Sequence, residues 1–103
     1  MIISVGRRKS AIARAVVRDG KGRVFVNGRA LNVYEPELAR LKISEPLTLA
    51  PEVAKLVDIE VDVKGGGYMG QAYAARTAIA RGLIEWSGDA KLREMFKIGR
   101  AHV

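Results

Sequence analysis

The chain has 103 residues, no cysteine, 49% apolar residues and a formal net charge of +7. That is enough for one small domain, residues 1–103, with a thin core. It excludes disulfides and thiolate metal sites, and no apolar run approaches the ~20 residues that a membrane-spanning helix requires. The excess charge is concentrated: residues 1–29 hold eight basic side chains against the single acid Asp19, whereas the other 74 residues carry ten of each sign. Such a split is expected of a surface that meets a polyanion rather than of charge scattered for solubility.

The opening MIISVGRRKS has too few apolar residues before its basic cluster to read as a signal peptide, so the expected location is the cytoplasm. Within it, GRRKS at residues 6–10 is a compact cationic run that leads into a predicted strand, AIARAVVR at residues 11–18. Ala11, Ala13, Ala15 and Val17 alternate with Ile12, Arg14, Val16 and Arg18, which places the two sets on opposite faces. A face lined by alanine lets a helix sit close. Asp19-Gly20 followed by Lys21-Gly22 reads as a hairpin turn with a basic tip. It would join the first strand to a second, RVFV at residues 23–26, and Asn27-Gly28 marks another tight turn.

From Tyr34 the pattern becomes helical, with Pro36 suited to a first turn and Leu38 and Leu41 three apart. Ser44 is placed to cap a further short helix with Pro46 in its first turn, carrying Leu47 and Leu49. Pro51 opens another short turn, with Val53, Leu56 and Val57 as its apolar residues.

The stretch around which the rest is organised covers residues 58–86. Asp58, Glu60 and Asp62 alternate with Ile59, Val61 and Val63, the period of a half-buried strand. Arg14 and Arg18 are expected to share the face of these carboxylates, as cross-strand partners if the two strands are neighbours. Four of the six residues 65–70 are glycine. The helix that follows carries Ala72, Ala75, Ile79, Leu83 and Trp86 at spacings of three and four, an amphipathic stripe expected to meet the alanine face of the first strand. After Ser87-Gly88 a last helix is predicted from Asp89, as N-cap, to near Gly99.

The glycine turn contains G-x-G-x-x-G at Gly65, Gly67 and Gly70. The dinucleotide fingerprint fails, because its acid should end a second parallel strand and Glu85 falls within the helix. The P-loop spacing fails too: Gln71 and Ala72 stand where a lysine and a hydroxyl residue belong, so phosphoryl transfer lacks its main electrostatic devices. Two readings of the turn stand. Its glycines let strand and helix pack tightly, or, with Lys64 before and Gln71 after, the N–H groups at the helix start approach a phosphate. Tyr68 and Tyr73 suit base stacking or packing equally. No catalytic triad can be assembled around the single histidine, His102, and no metal ion or cofactor is expected.

Three segments in this order, GRRKSAIARA at residues 6–15, GKGRVFVNGR at 20–29 and KGGGYMGQAYAARTAIARGL at 64–83, closely resemble the ninth protein of the small ribosomal subunit. The similarity covers residues 5–92, and EPELARLKISEPL and LIEWSGD are closer to the archaeal than to the bacterial form. The resemblance implies a two-layer α/β domain of the α+β kind. Helices would lie on one face of a mainly antiparallel sheet of about four strands, with a left-handed βαβ crossover. It also implies a non-enzymatic structural protein, bound to 16S-type ribosomal RNA and to neighbouring proteins in the head of the subunit.

Carried onto this sequence, the family's basic motif falls on Gly6, Arg7, Arg8, Lys9 and Ser10, and its glycine loop on Lys64, Gly65, Gly66, Gly67 and Gln71. Lys21 and Arg23 join these as expected RNA contacts through their charge. Family members continue into a long basic tail that reaches transfer RNA. This sequence stops at Gly99-Arg100-Ala101-His102-Val103, so a transfer RNA contact is not carried over. The rival reading is a small-molecule phosphotransferase of galactokinase-type fold that uses the glycine turn for ATP.

Overall fold

The structure is a computed structural model and describes residues 1–88; the helix expected from Asp89 lies outside them. Five strands, β1 (Ile2–Arg8), β2 (Ala11–Asp19), β3 (Val24–Val26), β4 (Arg29–Ala30) and β5 (Val57–Lys64), form one sheet in the order β1-β2-β5-β3-β4. Neighbours are antiparallel except β3 and β5, which are parallel and are joined through α1 (Glu37–Leu49) and α2 (Pro51–Ala54). The longest helix, α3 (Tyr68–Ser87), follows β5 and packs on β1, β2 and β5, with α1 alongside it. This is the expected two-layer α+β arrangement, built on five strands rather than about four.

Alternation in the sequence becomes burial in the structure. Val57, Ile59, Val61 and Val63 of β5 face the core, and Glu60, Asp62 and Lys64 are exposed. Ala11, Ala13, Ala15 and Val17 of β2 are completely buried, as are Ala72, Ala74, Ala75 and Ala78 on the facing side of α3, so the two alanine surfaces meet as their patterns predict. Trp86 is half-buried at the end of that stripe and donates its indole N–H to Asp19, 3.0 Å away.

β1 inverts the usual rule. Ser4 and Gly6 point into the core, while Ile3 and Val5 are exposed on the open face of the sheet. Close approach of α3 explains this. A Cβ on Gly6 would strike the Ala74 carbonyl oxygen and lie 2.6 Å from the Ala78 nitrogen, and one on Gly82 would lie 2.6 Å from a Val17 methyl. Ser4 donates its hydroxyl to the Ala78 carbonyl at 2.6 Å, which satisfies a polar group that burial would otherwise penalise. At the outer edge of β1, Arg81 donates to the Val5 carbonyl at 2.8 Å and occupies a group that an edge strand leaves open.

Three expectations are corrected. The cationic run before Ala11 is not a lead-in: β1 and β2 form the hairpin, in register Arg8↔Ala11, with Lys9 and Ser10 as its two-residue loop and Lys9 in the left-handed region at φ 54°. β2 and β3 are not a hairpin, because β5 lies between them, and the stretch from Gly20 to Arg23 passes over the start of β5 instead. Asp58 organises that crossing. Its Oδ1 accepts the backbone N–H groups of Lys21 and Arg23 at 3.0 Å each, and its Oδ2 accepts from the Arg23 guanidinium at 2.8 Å. A local pattern reads Asp-Gly-Lys-Gly as a two-strand turn; a distant carboxylate decides otherwise.

Finally, α1 runs unbroken through Pro46, where two short helices were expected. Ser44 does not cap; it donates to the Arg40 carbonyl four residues back, and the proline ring is fully buried. The buried face of α1 is Ala39, Ile43 and Pro46, whereas Leu38 and Leu41 are exposed. The Asn27-Gly28 turn is as expected, with both residues at positive φ (51° and 81°), and the Asn27 side chain extends the sheet by bonding the N–H and carbonyl of Val63.

Replacing Gly6 by alanine is expected to lower stability by about 1–3 kcal/mol, because backbone rather than a flexible side chain blocks the new methyl group; thermal denaturation reads the loss. The Arg23 guanidinium and the two N–H groups hold the Asp58 carboxyl far below the ordinary carboxylate value of 3.8. A depressed folded-state pKa contributes stability above the unfolded value, and that contribution fades as pH falls below about 4. Asp58→Asn is therefore expected to be less stable at neutral pH and to lose less on acidification, measured by denaturant unfolding from about pH 7 down to about pH 2.

Candidate nucleic-acid interface

The strand register brings the two expected motifs to the same end of the sheet. Ile12 pairs with Lys64, so the β1–β2 hairpin tip lies beside the turn that follows β5. Gly65 and Gly66 are both at positive φ (81° and 66°). Contact with the tip is direct: a Cβ on Gly65 would collide with the Ser10 carbonyl oxygen, and one on Gly66 would lie 3.3 Å from the Ala11 Cβ and 3.4 Å from the Ser10 hydroxyl. Of the two readings of the glycines, tight packing is real at Gly65 and Gly66, where it is made against the hairpin tip, whereas Gly67 has open space around it.

Gly67 is the N-cap of α3 and no side chain caps this end. The first N–H to find a helical partner is that of Gln71, bonded to the Gly67 carbonyl at 2.9 Å. The preceding N–H groups have no acceptor within the helix, and the positive end of its dipole opens toward the hairpin tip.

Around this helix start the cations are unneutralised. Among the described residues, Arg7, Lys9 and Lys64 are exposed and none of them, nor Arg8, has a carboxylate partner. The period of two sends Arg7 to the open face of the sheet and Arg8 to the helix side, where its guanidinium lies 4.6 Å from the centre of the Tyr73 ring. Two further cations meet that ring, Lys42 and Arg76, each 4.9 Å from its centre. Glu45 accepts from both at 2.8 Å. Burial pushes the Glu45 carboxyl up, but hydrogen bonds from Lys42 and then Arg76 outweigh it and leave its pKa lowered. Lys42, Glu45 and Arg76 were not singled out by the sequence reading. The available signals were two helical spacings of three, Lys42 to Glu45 and Tyr73 to Arg76.

Not all the expected contacts gather here. Lys21 and Arg23 lie at the opposite end of β2, whose nine residues span about 26 Å. There Arg23 is held by Asp58 and lines an open groove with Phe25, Leu31, Arg40 and Leu47. Gly6 is buried under α3 and offers no surface to a ligand. Of the open-face charges, Arg18 reaches Glu60 at 3.7 Å, and Arg14 sits opposite Asp62 in the register. Among the described residues no group of three His, Asp or Glu side chains converges as a metal site, and no helix is long and apolar enough to cross a membrane.

A sequence profile of the family described as ribosomal protein S9/S16 matches residues 6–102. The chain is 53% identical over 97 residues to the small ribosomal subunit protein uS9 of Pyrobaculum aerophilum, covering 94% of this chain and 68% of that protein. It is 56% identical over 106 residues to the uS9 of Aeropyrum pernix (97% and 70%) and 51% identical over 96 residues to that of Methanothrix thermoacetophila (93% and 73%). This similarity along nearly the whole sequence has one conclusion: the chain belongs to the ribosomal protein S9/S16 family.

Proposed function

We propose that this chain is a structural RNA-binding domain of the small ribosomal subunit, located on the cytoplasmic ribosome. Its partners are 16S-type ribosomal RNA and neighbouring proteins of the subunit head. The main contact surface is Arg7, Arg8, Lys9 and Ser10 of the hairpin tip together with Lys64, Gly65, Gly66, Gly67 and Gln71 of the glycine turn. Lys21 and the outer N–H groups of Arg23 make a second, separate contact at the far end of the sheet.

The observation that carries this reading is the meeting of uncompensated cations with an uncapped helix start. Each alone attracts anions weakly, and together they present charge and directional N–H donors to one stretch of phosphate backbone. Contacts of this kind fix orientation and supply affinity without reading bases. The family is one of structural proteins, not enzymes, and no observation favours the phosphotransferase alternative.

The test is binding of the chain to a 16S-type RNA fragment over a range of salt. With about six phosphates engaged, affinity should fall by roughly 10³-fold between 50 and 200 mM salt. Arg7, Arg8 and Lys9 replaced together by alanine should weaken binding and flatten that dependence while leaving the domain folded. A flat salt response in the unaltered chain, or undiminished binding in the triple variant, would sink the proposal.

A further inference from the structure

We propose that Tyr73 is a positioning residue for RNA: its ring holds the Arg8 guanidinium beside the glycine turn, ready to meet a phosphate. This rests on the RNA-binding reading above and adds to it a residue that contributes without its own charge. The charges around the ring do not balance. Arg8, Lys42 and Arg76 all lie within 5 Å of its centre, and the single carboxylate among them, Glu45, is engaged by Lys42 and Arg76.

Arg76 and Lys42 are the inner pair, with side chains 13% and 19% exposed. Glu45 of α1 binds Arg76 of α3 and its own neighbour Lys42, which fastens the two helices beside the ring. Arg8 is exposed and, among the described residues, has no carboxylate partner. Three cations against one carboxylate leave two positive charges that the described chain does not neutralise.

An arginine at the end of an edge strand ordinarily samples many rotamers, and ordering it on binding costs affinity. A ring face beneath it removes that freedom beforehand, while the in-plane N–H donors remain available for the paired oxygens of a phosphate. The element that supplies the ring is the one whose uncapped start lies beside the hairpin tip. The ring against Arg8 and the N–H groups at the helix start are thus fixed by one element.

The experiment measures affinity for the same RNA fragment, and its salt dependence, for the unaltered chain, Arg8→Ala, Tyr73→Leu, the double variant and Tyr73→Phe. Arg8→Ala and Tyr73→Leu are each expected to weaken binding by about fivefold, and the double variant by less than about tenfold rather than by the product of the two. The salt slope of Tyr73→Leu should fall toward that of Arg8→Ala even though no charge has been removed. Tyr73→Phe, which keeps the ring face, should bind within about twofold of the unaltered chain.

Binding by Tyr73→Leu equal to the unaltered chain, or fully multiplicative effects in the double variant, overturns the proposal. Arg8→Lys, a change at an exposed position, keeps the test open where Tyr73→Leu does not fold: lysine should bind severalfold more weakly, and lysine as good as arginine overturns the proposal. Absence of salt-dependent binding in the unaltered chain is a different result, because it removes the RNA reading itself and not only the role of Tyr73.

Discussion

The close seating of α3 on the sheet governs the rest of the structure. Gly6 and Ser4 on β1, Ala11, Ala13 and Ala15 on β2, and Ala74, Ala75, Ala78 and Gly82 on the helix supply a contact in which side chains have been reduced until backbone nearly meets backbone. Each small residue buries little apolar area, so most of the transfer free energy comes from the larger side chains, Ile43, Ile59, Ile79 and Leu83 among them. The small residues contribute position. They set the depth at which α3 lies, and with it the place where the helix begins.

That position decides what lies beside the hairpin tip. Because β5 pairs with β2 and hands the chain directly to α3, the glycine turn is forced to the end of the sheet where the β1–β2 hairpin turns back. Gly65 and Gly66 then complete a backbone contact with Ser10 and Ala11 that residues with side chains would obstruct. A cationic loop and an uncapped helix start become neighbours although more than fifty residues separate them in the chain. For a structural ribosomal protein this is the relevant product of folding: a surface on which charge and donors are brought to one place.

The charged residues divide by what they have been given to do. Asp58 with Arg23, and Glu45 with Lys42 and Arg76, are internal fastenings that hold a chain crossing and a helix pair. Arg7, Lys9 and Lys64 are without such partners among the described residues and remain available to solvent or to a polyanion. Net charge alone does not separate these groups, since Arg23 and Lys9 contribute equally to it.

Much of the fold was legible residue by residue. The alternation in β2 and β5, the glycine turn, the stripe on α3 and the Asn27-Gly28 turn all follow from periodicity and backbone preference, which are local properties. The basic motif and the glycine loop were likewise visible as segments and as a family pattern. What sequence reading missed has a common physical cause. β1 hides its strand pattern because the approach of α3 selects Ser4 and Gly6 for the inside and leaves Ile3 and Val5 outside. The β2–β3 connection is decided by Asp58, 37 residues beyond Lys21, and the continuity of α1 through Pro46 by burial of the proline ring. The three cations on Tyr73 come from β1, α1 and α3, so no window of sequence contains them. The periods of β2, β5 and α3 and the turn at Asn27-Gly28 were therefore settled by the sequence alone, because they depend on near neighbours. Strand order, the inner face of β1 and the meeting of the hairpin tip with the glycine turn were settled only by the tertiary structure, because each depends on which distant groups compete for the same space or the same hydrogen bond.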